Sequence, residues 1–227
     1  MVEKKPLLLM ADSQLLFWKK GDDPFIKTFL ADDADRPELK AAYIGAANGD
    51  QPEYFDIFKA AMEQLPGARC RMIISQPDAE DEKFLDESDV ILLAGGDVEL
   101  GMQVMQANGI WQRIIPKYYT GTLIVGVSAG AVQLGLKGWR NPNNGDRALI
   151  DTFKLVPYVI DVHAEAENWE SLGKAVRETG PNTTGFGIPF GAGLVLHPDW
   201  SLEAVRHPVT EISFTGEEIK QSLILPS

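Results

Sequence analysis

The sequence predicts a three-layer α/β/α sandwich around a mostly parallel central sheet. Three observations carry this: short apolar runs, helical segments alternating with them, and a change to closely spaced strands near the end. The runs Pro6 to Met10, Ala41 to Ile44, Met72 to Ile74, Val90 to Leu93 and Leu123 to Val125 are bounded by polar, Gly or Pro residues. Continuous apolarity over so few residues marks parallel strands buried on both faces. Between them, Pro52 to Leu65 places Phe55, Phe58, Met62 and Leu65 on one face of a helix. Helices are also expected over Val98 to Ala107 and Ile110 to Tyr118, with Pro116 as a kink or break. The acidic stretch Asp78 to Asp89 reads as a solvated loop and helix start. After about Asn182, the segments Gly193 to His197, Leu202 to Arg206, Glu211 to Phe214 and Ile219 to Leu225 read as short strands. They are joined by Pro-Asp, His-Pro and Thr-Gly turns, an antiparallel finish. With no repeat or linker, residues 1–227 are expected to form one domain.

Composition narrows the function. Hydrophobic residues are 44% and charged residues 24%, as in ordinary soluble globular proteins. No apolar run approaches the length that spans a bilayer. The run Leu7 to Met10 is too short for a signal-peptide core, so a cytoplasmic location is expected. A single cysteine, Cys70, excludes an intramolecular disulfide and fits a reducing compartment; its place in the apparent strand Ala68 to Ser75 makes it a packing residue. A net charge of -12 repels phosphate backbones and anionic membranes, excluding a broad nucleic-acid or lipid surface. The charge says little about a small substrate, and a homodimer is left open.

Chemistry concentrates in Gly126-Val127-Ser128-Ala129-Gly130, where an apolar strand runs into a small-residue helix. Such a strand-to-helix turn projects the serine hydroxyl beyond the sheet edge as a nucleophile, with free N–H groups of the helix start beside it. A serine in this position can also act simply as a helix N-cap. Upstream, Leu92-Leu93-Ala94-Gly95-Gly96-Asp97 is another strand ending in a glycine turn. There the Gly96 N–H can join that of Ala129 in an oxyanion hole. Asp97 is assigned to substrate binding, with an N-cap as the plainer role. A base for Ser128 must come from His163, His197 or His207. The last two precede proline in turns, whereas His163 ends an apolar strand and is the best placed. The acid orienting it stays open among Asp146, Asp151 and Asp161, with Asp146 as the working assignment. Glu165, Glu167 and Glu170 form a solvated face or helix start, or else part of a pocket favouring amines; Glu165 is the binding candidate.

Together these residues resemble the aspartyl dipeptidase (peptidase E) and cyanophycinase family of serine peptidases, whose flavodoxin-like fold is similar to class I glutamine amidotransferases. The resemblance spans most of the chain. It rests on Ala94-Gly95-Gly96-Asp97-Val98, on Gly126-Val127-Ser128-Ala129-Gly130-Ala131, and on Leu155-Val156-Pro157 leading to Asp161-Val162-His163. The chain departs from the family in Ala94 for a first glycine, in Val98 for threonine, and in Gly187-Ile188-Pro189-Phe190 where an acidic residue is usual. Ala164 to Asn168 also differ from the cyanophycinase pattern. The resemblance implies acyl transfer through Ser128 and His163, with no metal or organic cofactor. The alternative is a catalytically impaired relative that binds a small molecule or peptide. A glutaminase is disfavoured because the turn carries serine rather than cysteine.

Overall fold

The computed structural model describes residues 4–30, 38–141 and 146–226, which include every candidate site residue. In chain order, the first half contains β1 (Leu7–Met10), α1 (Gln14–Phe17), a small ribbon of β2 (Lys19–Lys20) and β3 (Asp23–Pro24), β4 (Leu39–Ile44), α2 (Pro52–Met62), β5 (Ala68–Ile73), α3 (Ala79–Asp86), β6 (Val90–Leu93), α4 (Val98–Ala107) and α5 (Ile110–Tyr119). Then come β7 (Leu123–Val127), α6 (Ala129–Leu134), a hairpin of β8 (Lys137–Trp139) and β9 (Leu149–Asp151), β10 (Val159–Val162), α7 (Glu170–Thr179) and β11 (Thr183–Ile188). The last four strands are β12 (Gly193–Leu196), β13 (Leu202–Val205), β14 (Val209–Phe214) and β15 (Ile219–Ile224).

The main sheet has seven strands in the order β13-β12-β1-β7-β6-β4-β5. β1, β7, β6, β4 and β5 are parallel, and β12 and β13 continue the sheet antiparallel beyond β1. Alternate side chains enter two separate cores. Leu7, Leu9, Ala42, Ile44, Ile91 and Leu93 pack with α3 to α6, while Leu8, Met10, Ala41, Tyr43, Val90 and Leu92 pack with α1 and α2. Helical cover on both faces is why β1, β6 and β7 are apolar at every position.

The expected antiparallel finish divides between two sheets. β12 and β13 join the main one, while β14 pairs with β11 and β15 with β14 in a second sheet ordered β10-β11-β14-β15. The strand before His163 is shorter than its apolar run, because residues 155–158 bend and only Val159–Val162 pair with β11. Pro157, which has no N–H to donate, lies in that bend. Pro116 does not break its helix; α5 continues to Tyr119. Burial pushes the Cys70 thiol up to about 11, leaving it a neutral packing group at neutral pH. Among the described residues no helix is long and apolar enough to cross a membrane.

The acidic stretch becomes α3 through a capping box. The Asp78 carboxylate accepts from the N–H groups of Glu80 and Asp81, both at 2.8 Å, and Asp81 returns a bond from the Asp78 N–H. Asp78→Ala should lower stability by about 1 kcal/mol, read as a shift of the urea unfolding midpoint.

Candidate active site

Parallel strands end together, so the carboxyl ends of β1, β4, β6 and β7 bring four connecting loops to one edge, where open α/β sheets bind ligands. Ser128 lies directly after β7 with φ 52° and ψ -116°, a left-handed φ that a residue bearing a Cβ adopts only when its surroundings impose it. Two contacts do so here. The Ser128 N–H donates to the Met10 carbonyl at the end of β1 (2.9 Å), and the Ser128 carbonyl accepts from Ala131 (2.9 Å) to start α6. The hydroxyl makes no capping hydrogen bond, so the N-cap role expected as the plainer alternative does not occupy it.

The Ala129 N–H is at the first helical position, one of those a helix leaves without an internal acceptor. Across from it, Gly96 has φ 140°, and a Cβ there would stand 2.1 Å from the Ala47 carbonyl oxygen, so the turn admits only glycine. The Gly96 N–H makes no backbone hydrogen bond among the described residues. Asp97 is occupied structurally: its N–H donates to Ala47 (2.7 Å), and its carboxylate caps α4 through the Leu100 N–H (3.0 Å). Ala94 extends β6 with its methyl buried and its N–H donating to Ile44 (3.1 Å).

His163 follows β10 with φ 61°, its N–H donating to the Ile188 carbonyl (3.3 Å). Its ring lines the same pocket as Ser128 and lies 5.2 Å, centre to centre, from the Phe190 ring. His197 instead contacts Glu203 (3.3 Å) and His207 occupies the turn after β13.

None of the three candidate acids hydrogen-bonds to His163 among the described residues. Asp146 is exposed before β9, where it feels the charge of Arg140. Asp151 pairs with Lys137 (2.8 Å) and Lys154 (3.3 Å), which hold its carboxyl below the ordinary range. Asp161 accepts from the Ser171 hydroxyl (2.5 Å) and the Val162 N–H (3.0 Å), and burial raises its pKa. Glu165 accepts from the Phe190 N–H (3.0 Å), which ties the loop after β11 to the segment after His163.

Ser128 and Gly96 stand between two cavities. The larger, of about 310 Å³, lies on the His163 side and has walls from Leu16, Tyr43, Tyr54, Ile57 and Phe58, with Asp12 at its margin. The smaller, of about 190 Å³, is lined by Ala129, Lys137, Trp139 and Asp161 among others. Asp12, Tyr54 and Ile57 carry no motif and are not among the sequence candidates. Two signals mark them: the position of Asp12 after the first strand, and the large apolar side chains of α2 outside its Phe55-Phe58-Met62 stripe.

Comparison with known proteins agrees with the fold. A solved peptidase from an acI-B1 actinobacterium shares the fold with a TM-score of 0.71 at 16% identity, over 97% of this chain and 95% of that one. A chain described as a peptidase E protein from Listeria monocytogenes EGD-e does so at 0.57 and 17% identity, over 98% of this chain and all of that one. A curated Bacillus subtilis (strain 168) relative, described as uncharacterized peptidase YgaJ, is 22% identical over 117 residues; the match spans 51% of either chain, about half the relative's length. The sequence pattern of peptidase family S51 matches residues 7–199, from β1 through the turn after β12. The chain belongs to peptidase family S51, the peptidase E family.

Proposed function

We propose that the protein is a serine exopeptidase or amidohydrolase that cleaves small peptides or amides through a Ser128 acyl-enzyme. The observation carrying this is the Ser128 turn itself: a residue at positive φ whose hydroxyl makes no capping bond, followed by the Ala129 N–H at the start of α6 and sharing one pocket with Gly96 and His163. In the first half-reaction the Ser128 oxygen bonds to the scissile carbonyl carbon as His163 takes the hydroxyl proton. The two N–H groups hold the oxyanion, the C–N bond breaks, and the proton passes from His163 to the leaving amine. Water then adds through the same base, the ester bond breaks, and Ser128 regains its proton. No hydrogen bond joins Ser128 to His163 among the described residues, so in this mechanism the bond between nucleophile and base forms as substrate binds.

Treatment with a fluorophosphonate probe tests this. Intact mass should show a single adduct that is absent in Ser128→Ala and strongly slowed in His163→Ala, with circular dichroism establishing that both variants are folded. No adduct, or one that persists in Ser128→Ala, would sink the proposal. A second reading, binding without turnover, draws on the Phe190 ring beside His163 and on the absence of a carboxylate bonded to that imidazole among the described residues. Thermal stabilisation by a small metabolite, with no dipeptide turnover, would favour it.

A further inference from the structure

We infer that this protein releases a large apolar residue from the free amino end of a dipeptide or short peptide, with Asp12 as the anchor for the substrate's ammonium group. The inference rests on the hydrolytic reading above and concerns what the larger cavity admits. A volume of about 310 Å³ is at the low end of ligand pockets, enough for one amino-acid residue rather than an extended segment. Its walls are aromatic and aliphatic, and none of the described lining residues is Lys or Arg. Tyr43 adds no charge: burial pushes its phenol up to about 12, and its oxygen accepts from the Asn48 amide (2.8 Å). An acidic side chain entering this cavity would meet no Lys or Arg among the described residues and one fixed carboxylate, that of Asp12, so the pocket is built against aspartyl or glutamyl residues.

The same carboxylate suits a cation. Asp12 follows Met10 by two residues, and Met10 supplies the carbonyl that holds the Ser128 N–H, so anchor and nucleophile are set by one strand end. One Asp12 oxygen accepts from the Gln14 N–H (2.7 Å) and the other from the Gly191 N–H (2.5 Å). These bonds fix the group's orientation while each oxygen keeps acceptor capacity for an ammonium. With the side chain among Tyr54, Ile57 and Phe58 and the amine at Asp12, the residue has a free N-terminus, and the bond at Ser128 is the one following it.

The test compares kcat/KM for Phe-Ala, Asp-Ala and 3-phenylpropanoyl-Ala, which lacks only the ammonium. Phe-Ala should exceed Asp-Ala by at least about tenfold and the deamino analogue by on the order of 10–100-fold, the worth of a charge-assisted bond. In Asp12→Asn the ratio of Phe-Ala to 3-phenylpropanoyl-Ala should fall to within about threefold of unity. Tyr54→Arg, at an exposed position of α2, should move selectivity toward Asp-Ala by about tenfold. A preference for Asp-Ala, equal turnover of the deamino analogue, or probe labelling of Ser128 without hydrolysis of any of the three would overturn this inference and leave the hydrolase standing. Failure of Ser128 to label would overturn both.

Discussion

Ser128→Ala should reduce kcat for peptide hydrolysis by on the order of 10⁴–10⁶-fold, and His163→Ala by a comparable factor. In the proposed mechanism the two side chains serve one proton transfer, so removing either stops the same step. The double variant should therefore be no slower than the worse single one. What survives is the contribution of the oxyanion donors and of substrate positioning, roughly 10³-fold over water. KM should stay within about threefold, since the walls at Tyr54, Ile57 and Phe58 are untouched. Steady-state kinetics on all three variants decide the matter. Multiplicative losses in the double variant would show that the two residues act independently, contrary to the mechanism.

The second large effect is on stability. A Cβ on Gly130 would stand 2.1 Å from the Leu93 carbonyl oxygen, and one on Gly126 would lie 2.6 Å from the Gly130 oxygen. In both cases the obstruction is backbone, which rotamer changes cannot relieve. Gly130→Ala must push α6 away from the end of β6, where Leu93 pairs with Gly126. A loss of about 3 kcal/mol or more is expected, lowering Tm by roughly 6–12 °C. Gly173→Ala supplies the opposite control: within α7 its Cβ meets nothing within 4 Å, so the variant should gain about 0.5–1 kcal/mol. Parallel thermal melts compare the two. A Gly130→Ala protein as stable as the parent would show that the turn tolerates movement the geometry forbids.

The central strands were legible because a sheet covered on both faces leaves uninterrupted apolar runs, such as Val90 to Leu93, that no surface strand would show. The last four strands were legible from their turns, but their division between two sheets was not. Pairing of Leu7 with Leu196 joins distant parts of the chain and leaves no local trace. β11 and α7 hid each other: Gly185 and Gly187 dilute the strand signal, and they are there because Leu172 and Val176 of α7, and Trp169 before it, occupy the space beside them. At the site, Ser128, Gly96 and Gly130 were readable because backbone geometry restricts residue type locally. His163 stands out because only two other histidines compete, and the structure brings it into one pocket with Ser128. A partner carboxylate has no such local signature. Proximity in the chain placed Asp161 beside His163, yet the fold spends it on Ser171. The pocket wall leaves only a faint sequence signal because Tyr54 and Ile57 belong to a helix whose neighbouring face accounts for its pattern as core packing.

The position of β1 also ties the serine turn to a distant part of the chain. Its end supports Ser128, and it lies between β7 and the late strand β12. As a nascent chain leaves the ribosome, the turn at Ser128 emerges well before Gly193–Leu196. Until that segment follows, β1 offers an unpaired edge and its sheet is unfinished on that side. A chain stopped before residue 193 would carry the whole serine motif without the strand that completes the sheet beside β1.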